Sequence, residues 1–393
     1  MVRIKLDLPP DSTFLSEVIY EGLMFLILKT RCEFNPKEIN AGSDCLNRAY
    51  SSLDDERIGN IRIVMSGNDN INAKIFEKLG LSNVKSRKTY YDLINLLKEH
   101  SSSIKSKEEV NIELKAFKKD VLMDLNNKNE GISAPQLFKV DRYTGISSLD
   151  TDYTSQQLTF YFSKEIALIS LLGVYSSFVI SVRQQQHSYY YFLFFSPDEI
   201  VNLLNSEKLV DKFFTIKDTV AEEFRKILSR STLNELLLTE ITLNVELQRL
   251  MENENLEKVS LLLFKIAPEG QTYKIYEQIP LTIYRNPAFY RIAEKYSHNA
   301  ISFCEQLGRA VSSDVILRTL SSLNTKNKHS EADNILKAIQ MLYRFVVLGD
   351  PQGWFGFLRE LHNSHAKLVN SSDGRERRRA ENYLRLVKSI SYA

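Results

Sequence analysis

Positively charged side chains are concentrated near the C-terminal end of the sequence. Four of the five residues from position 375 to position 379 are arginine, and two further basic residues follow within ten positions. At helical spacing these side chains share a broad polar face, while Tyr383 and its leucine neighbours supply apolar contacts. The guanidinium group is planar, always charged and complementary to phosphate, so this face predicts contact with a nucleic-acid backbone or an acidic protein. The candidate nucleic-acid contacts are Arg375, Arg377, Arg378, Arg379, Arg385 and Lys388.

Glu376 and Glu381 interrupt this basic segment and keep a second interpretation open. A helix face that mixes both signs of charge can serve only to keep the surface hydrated. The two interpretations differ in whether the arginines meet a polyanion or only water.

Two further segments could also contact nucleic acid. Lys115, Lys118 and Lys119 are predicted to lie on one helix, and Arg183 with Gln184 begins a polar loop between a helix and an aromatic strand. Arginine and glutamine form paired hydrogen bonds with guanine and adenine edges, respectively. Solvated helix faces and helix ends have the same composition, so this alternative stays open for both segments.

One cluster has the spacing of metal ligands. In the segment Glu360-x-His362-x-x-His365, the two histidines are three positions apart on a predicted helix and share a face, where two imidazoles could bind one ion with a third ligand from elsewhere. No cysteine or second carboxylate accompanies them, and apolar residues surround them. We therefore predict an ordinary helix with solvent-facing histidines and no metal site.

Sequence motifs of common enzyme classes are absent. No GxxxxGK[ST], GxGxxG, GxSxG or HExxH segment occurs, and only 14 glycines are available to bring the backbone close to a phosphate. Asp150, Asp152 and the acidic residues 54–56 have no base or nucleophile beside them, which is typical of solvated loop charge. We predict that the chain is not an enzyme and has no cofactor or small-molecule substrate.

Charge is distributed unevenly along the 393 residues. The net charge is +2, yet residues 291–393 contain 16 Lys+Arg and only 10 Asp+Glu, so the preceding part is acidic. A positive field in this last quarter would attract an anionic partner. Cys32, Cys45 and Cys304 are an odd number without CxxC spacing, and no apolar stretch approaches the length of a membrane span. These features predict a cytoplasmic protein without membrane contact.

Hydrophobic periodicity predicts an α+β fold, with a mixed α/β N-terminal body and an all-helical C-terminal bundle. Strand patterns occur at residues 2–8, 60–66, 157–162 and 189–195, and a hairpin is predicted around Pro268 and Gly270. Residues 89–126 are predicted to be helical, and from Pro287 onward breaks in the pattern separate about five helices. The predicted domains are residues 1–130, 131–286 and 287–393.

Three segments and their order resemble a known family. They are FSKEIALISLLGVY at residues 162–175, YYYFLFF at residues 189–195 and LLLFKIAPEGQTYKIYEQIPL at residues 261–281. Together with the mixed N-terminal domain and helical tail, they resemble the large subunit of archaeal type I-A CRISPR effector (Cascade) complexes. The resemblance implies a non-catalytic subunit of an antiviral ribonucleoprotein that carries crRNA.

Such a subunit would help to recognise the PAM in target DNA, stabilise the unwound DNA through its helical domain and dock the helicase-nuclease. The partners implied are crRNA, target DNA, other Cascade subunits and the helicase-nuclease. A second hypothesis is a protein-interaction scaffold whose arginine-rich helix binds an acidic partner without nucleic acid. A third is an enzyme with a site assembled from residues such as Asp150, His187 or His362.

Overall fold

Helices and small sheets together build an α+β fold, as predicted. A computed structural model describes residues 1–67, 69–81, 89–117, 120–143, 159–184, 187–206, 209–296, 299–323 and 325–391. The chain divides into two units. The sheet unit consists of Met1–Lys217 with Ser260–Leu281, and the helical unit consists of Asp218–Val259 with Thr282–Ala393. The division into three domains with boundaries after residues 130 and 286 stays a prediction.

The α-helices in the described residues are α1 (Phe14–Thr30), α2 (Cys45–Ser51), α3 (Asp55–Asn60), α4 (Asp69–Lys78), α5 (Tyr90–Glu99), α6 (Lys164–Ser177), α7 (Pro197–Leu204), α8 (Val210–Leu228), α9 (Asn234–Thr242), α10 (Val245–Asn253), α11 (Tyr290–Tyr296), α12 (Ala300–Val311), α13 (Asp314–Ser322), α14 (Ala332–Val346), α15 (Pro351–Leu368) and α16 (Gly374–Ser391). Two 3-10 helices cover Ser101–Ser103 and Gln136–Tyr143. Among the described residues, no helix combines the length and the apolar composition needed to cross a membrane.

The strands in the described residues are β1 (Val2–Lys5), β2 (Glu33–Asn35), β3 (Glu38–Ala41), β4 (Glu109–Asn111), β5 (Leu114–Phe117), β6 (Asp120–Met123), β7 (Ile132–Ser133), β8 (Thr159–Phe162), β9 (Phe178–Gln184), β10 (His187–Phe195), β11 (Lys258–Glu269) and β12 (Thr272–Tyr284). They form sheets in the orders β2-β3-β1-β4, β5-β6-β8-β7 and β12-β11-β10-β9. In the first sheet Ile4 lies opposite Ile39, and both are buried. In the third, β11 and β12 form the predicted hairpin.

The aromatic segment of β10 forms the core of the sheet unit. Phe14, the first residue of α1, packs edge-on against Phe192, Phe194 and Phe264 with ring centroids 5.2–5.6 Å apart. All four rings are fully buried. The aromatic strand at residues 189–195 is therefore mainly a packing element, because aromatic side chains fill the space beneath a pleated surface well.

Helices α1 and α6 cross so closely that their backbones touch. A Cβ atom at Gly22 would lie 2.0 Å from the carbonyl oxygen of Ile169, and one at Gly173 would lie 1.8 Å from the carbonyl oxygen of Val18. Any side chain larger than hydrogen would force the helices apart. Both helices are buried along most of their length, since they are apolar on nearly every side.

A buried ion pair joins α8 to α1 within the sheet unit. The side chains of Lys217 and Glu21 are each 1% exposed, and the ammonium group donates to the Glu21 carboxylate and to the Ser176 carbonyl oxygen. The Ser176 hydroxyl also donates to Glu21. The ammonium group lies 4.9 Å from the ring centroid of Phe214, which adds a cation–π contact. This pairing compensates for the removal of both charges from water.

One turn before Glu21, the carboxyl group of Glu17 is fully buried and has no hydrogen-bond partner among the described residues. Burial, together with the nearby carboxylates of Glu21, Asp11 and Asp141, raises the pKa of Glu17 well above its usual value. The group is therefore held in its neutral form over a wider pH range than an exposed glutamate.

Predictions of secondary structure were wrong at two places in the first 130 residues. Within residues 89–126, which had been predicted to be helical, only α5 is an α-helix in the described part, and residues 109–111, 114–117 and 120–123 form β4, β5 and β6. Val110 and Ile112 are buried and alternate with polar neighbours, which is a strand period. Residues 60–66 are mostly irregular, with one bridge from Val64 to Thr89. The helical end contains six helices from α11 to α16 in the described residues, where about five had been predicted.

We predict that Glu17→Gln stabilises the protein more at pH 8 than at pH 4. A carboxyl group with a raised folded-state pKa favours folding at low pH, and this stability is lost as pH rises from about 4.3 through the folded pKa. Glutamine does not titrate, so the difference in the free energy of unfolding between variant and wild type should grow with pH in urea titrations. Glu21→Gln is the control and should destabilise, because it leaves the Lys217 ammonium group buried without its partner. A difference for Glu17→Gln that is the same at both pH values would contradict the prediction.

Candidate nucleic-acid interface

Helix α16 carries the predicted arginine segment and is anchored on one side. Asp373 accepts a hydrogen bond from the backbone N–H of Arg375 at 2.8 Å and so fixes the first turn. Ala380, Tyr383 and Ile390 are at most 2% exposed and recur at helical spacing. This apolar side packs against α15, α12 and α13. The opposite side of α16 faces solvent.

Five cationic side chains lie on this solvent side, and we call them the exposed arginine face. They are Arg375, Arg377, Arg378, Arg385 and Lys388. Arg385 lies 3.8 Å from Glu381, but both side chains are more than two-thirds exposed, so the pair contributes about 0–1 kcal/mol. The other four form no ion pair with any residue that the structure describes. Most of this positive charge is therefore free to meet an anion.

Arg379 does not share this face, which corrects the sequence prediction. Its side chain is 19% exposed, and its Nε donates to Glu331 Oε1 at 2.7 Å, while Nη2 lies 3.5 Å from Oε2. The Glu331 side chain has no exposed surface. Because a buried carboxylate needs a positive partner, Arg379 fastens α16 to the start of α14.

Glu331 is the centre of a small polar network that the sequence did not reveal. The Tyr383 hydroxyl lies 3.3 Å from Glu331 Oε1 and 2.8 Å from the Thr319 hydroxyl. The His329 Nδ1 lies 4.0 Å from the same carboxylate oxygen. Burial, reinforced by the charge of Glu331, raises the pKa of Tyr383, so this side chain remains a neutral donor. Nothing in the local pattern distinguishes Glu331 from the exposed acids near it.

The lysine segment differs from its prediction. Lys115 lies on strand β5, where it pairs with Glu113 at 2.6 Å, so its assignment to a helix was wrong. Lys118 and Lys119 lie outside the described residues. A common helical face of these three lysines therefore has no support.

Arg183 and Gln184 are the last residues of strand β9, so their assignment to a loop was wrong, while residues 185 and 186 of the predicted loop lie outside the described residues. Arg183 lies opposite Ser188 and Gln184 lies opposite His187 in the antiparallel pair of β9 and β10. The Arg183 side chain is exposed at this end of the sheet. It belongs to the sheet unit, whereas the exposed arginine face belongs to the helical unit.

In the metal-like cluster on α15, Glu360 is engaged by other residues, His362 is exposed and His365 is half-buried. The Glu360 carboxylate accepts hydrogen bonds from Asn334 at 2.8 Å and from Asn363 at 3.4 Å. The rings of His362 and His365 lie 6.2 Å apart, centroid to centroid. Among the described residues, no group of three or more His, Cys, Asp or Glu side chains is arranged to hold a metal ion.

The fold and this surface define an α+β protein with a cationic face on its last helix. A protein of Archaeoglobus fulgidus described as an uncharacterized protein is 65% identical over 392 residues, and the match covers the whole of both chains. The chain belongs to the same family as this archaeal protein. No family model matches the chain, and no solved structure matches it.

We predict that Arg379→Ala lowers the free energy of unfolding by about 3 kcal/mol, because it leaves the Glu331 carboxylate buried without a full positive charge. Arg378→Ala, one residue earlier on the exposed face, should change it by less than about 0.5 kcal/mol. Both values can be measured by urea unfolding at neutral pH. Adding Glu331→Gln to Arg379→Ala should restore part of the loss, since the uncompensated charge is then removed. Equal stabilities of the two single variants would refute the anchoring role.

Proposed function

We propose that the chain is a non-catalytic nucleic-acid-binding subunit of a CRISPR ribonucleoprotein complex. The main observation in favour of nucleic-acid binding is the exposed arginine face, in which four of five cations lack an ion pair with the described residues. The resemblance to the type I-A large subunit supports the assignment to that complex. The partners in this proposal are crRNA, target DNA, other Cascade subunits and the helicase-nuclease, in the cytoplasm.

The dimensions of the face fit a phosphate backbone. From Arg375 to Lys388 the helix rises about 20 Å, at 1.5 Å per residue. One strand of duplex DNA presents a phosphate about every 3.4 Å along its axis, so this length spans about six phosphates. Five cations on flexible side chains can reach most of them without reading any base.

The composition of the face also favours a polyanion over simple hydration. A hydrating surface places acids and bases together, as Arg309 and Glu305 on α12 or Arg318 and Asp314 on α13 do. On the exposed side of α16, Glu381 is the single acid among five cations. The resulting local excess of positive charge would raise the rate and strength of binding to DNA or RNA.

We predict that Arg377→Glu/Arg378→Glu weakens nucleic-acid binding about tenfold or more, because two phosphate contacts become repulsive. The slope of log affinity against log salt should become shallower by about 1.5. Fluorescence anisotropy with labelled single-stranded DNA, duplex DNA and RNA of one sequence would measure both effects.

Arg309→Glu/Arg318→Glu is the matched control for this experiment. It changes the net charge of the helical unit by the same amount, at side chains that are 79% exposed but lie on α12 and α13. Its affinity should stay close to that of the wild type. Equal losses in both variants would mean that binding responds only to net charge. Wild-type protein that binds polyglutamate but no oligonucleotide would replace this proposal with the scaffold hypothesis.

The ribonucleoprotein assignment predicts that the chain purifies with RNA from its native host. A tagged copy should retain short RNAs derived from CRISPR repeats and spacers, together with further Cas proteins, and sequencing and mass spectrometry would identify them. The Arg377→Glu/Arg378→Glu variant should retain less nucleic acid in the same preparation. Recovery of the chain without RNA and without Cas proteins would overturn the assignment, even if the purified chain bound oligonucleotides.

A further inference from the structure

A cavity of about 470 Å³ opens in the helical unit, among residues of α10, α11 and α12 and the segment directly after β12. Its polar lining includes Gln248, Arg249, Glu252, Arg285, Tyr290 and Glu294. Cavities that hold small ligands commonly measure about 300–1,000 Å³. None of the lining residues belongs to α16, so the cavity is separate from the exposed arginine face.

Charged groups of both signs line this cavity, and they form no ion pair with one another. Arg249 and Arg285 form neither an ion pair nor a side-chain hydrogen bond with the described residues, and the same is true of Glu252 and Glu294. Guanidinium groups bind phosphate or carboxylate oxygens through paired hydrogen bonds, and carboxylates accept hydrogen bonds from N–H donors. A ligand that satisfies all four residues must therefore carry an anionic group and N–H donors.

Tyr290 gives the cavity a rigid aromatic wall. Its hydroxyl donates to Gln248 Oε1, and the Gln248 amide nitrogen donates in turn to the Thr242 carbonyl oxygen at 2.8 Å. The ring also packs edge-on against Phe289, with centroids 5.0 Å apart. An aromatic ring held in one position is a platform on which a flat ligand can stack with little loss of side-chain entropy.

We infer that this cavity binds one nucleotide unit. The phosphate contacts Arg249 and Arg285, the base lies against the Tyr290 ring, and an amino group on the base edge donates to Glu252 or Glu294. A nucleotide combines the three properties with which this lining can pair, namely a phosphate, a flat aromatic base and N–H donors. Cytosine, adenine and guanine have the exocyclic amino group, whereas uracil has a carbonyl oxygen in its place.

Simpler ligands fit the lining less well. Inorganic phosphate would leave the two glutamates unpaired and would be repelled by them. An apolar ligand would displace water from four charged groups and return no hydrogen bond, which is costly. The balance of charge around the cavity thus favours a ligand with both a phosphate and a base.

The test is a calorimetric titration of the full-length chain with CMP, AMP, GMP, UMP, ribose 5-phosphate and inorganic phosphate. CMP, which differs from UMP by an amino group in place of a carbonyl oxygen, should bind with a dissociation constant below about 1 mM, and more tightly than UMP or ribose 5-phosphate. Arg249→Gln and Arg285→Gln should each weaken this binding about tenfold, the effect of losing one charged hydrogen bond. No saturable nucleotide binding, or equal binding of inorganic phosphate, would overturn the inference.

Two control variants separate this site from the exposed arginine face. Arg309→Gln changes an exposed arginine outside the cavity lining and should leave nucleotide affinity unchanged. Arg377→Glu/Arg378→Glu should likewise leave CMP affinity within about twofold, even though it weakens oligonucleotide binding. A parallel loss of CMP affinity in either control would assign the nucleotide to general surface charge and refute the cavity site.

A competition experiment shows whether the ligand of the cavity is a nucleotide within an oligonucleotide or a free mononucleotide. An unlabelled oligonucleotide that displaces CMP from the Arg377→Glu/Arg378→Glu variant would identify a nucleotide of a polymer as the ligand. CMP binding that is insensitive to the oligonucleotide would identify a free mononucleotide. In both cases Arg249→Gln must abolish most of the measured binding, and binding that survives this substitution would refute the cavity site.

Discussion

The carboxylate of Glu331 has no exposed surface, and Arg379 supplies the full positive charge that holds it. A buried carboxylate without such a partner costs several kcal/mol, so the position of Arg379 is determined by the interior of the helical unit. This contact sets the rotation of α16 about its axis, together with the apolar residues Ala380, Tyr383 and Ile390. The same rotation turns Arg377 and Arg378 toward solvent. One buried ion pair thus decides which arginines stabilise the fold and which remain free.

Close helix packing and a second buried ion pair stabilise the sheet unit. Gly22 and Gly173 let α1 and α6 approach until their backbones meet. The Lys217–Glu21 pair joins α8 to α1. Glu17 lies one turn away and has no hydrogen-bond partner among the described residues, so its burial favours the protonated form and raises its pKa. Helix α1 therefore holds one carboxylate that is paired with a lysine and one whose pKa is raised by burial.

The two sites proposed in the helical unit use charge in different ways. The exposed arginine face presents one sign of charge on an open surface, which suits a long polyanion whose bases are not read. The cavity presents both signs around a fixed aromatic ring, which suits a single unit with a defined shape. If both proposals hold, the helical unit binds a nucleic-acid chain along α16 and recognises one nucleotide in the separate cavity.

Local chemistry was enough to predict a large part of the fold. The apolar periodicity of α1 and α6, the turn at Pro268 and Gly270 and the breaks between the C-terminal helices all involve residues within a few positions of one another. These features gave the α+β class and the existence of the exposed basic helix. The short strands β4, β5 and β6 were missed, because their apolar residues also fit a helix when the pairing strands are not known.

The sequence by itself determined that the last helix is rich in arginine and that one of its sides is apolar. Only the tertiary structure decided that Arg379 turns inward, because its partner Glu331 lies 48 residues earlier in the chain. The cavity could not be predicted from the sequence either, because its lining comes from four separate segments between residues 245 and 301. Spacing along the chain reports contacts within one helix or strand, whereas charges that meet across the fold depend on how distant segments pack.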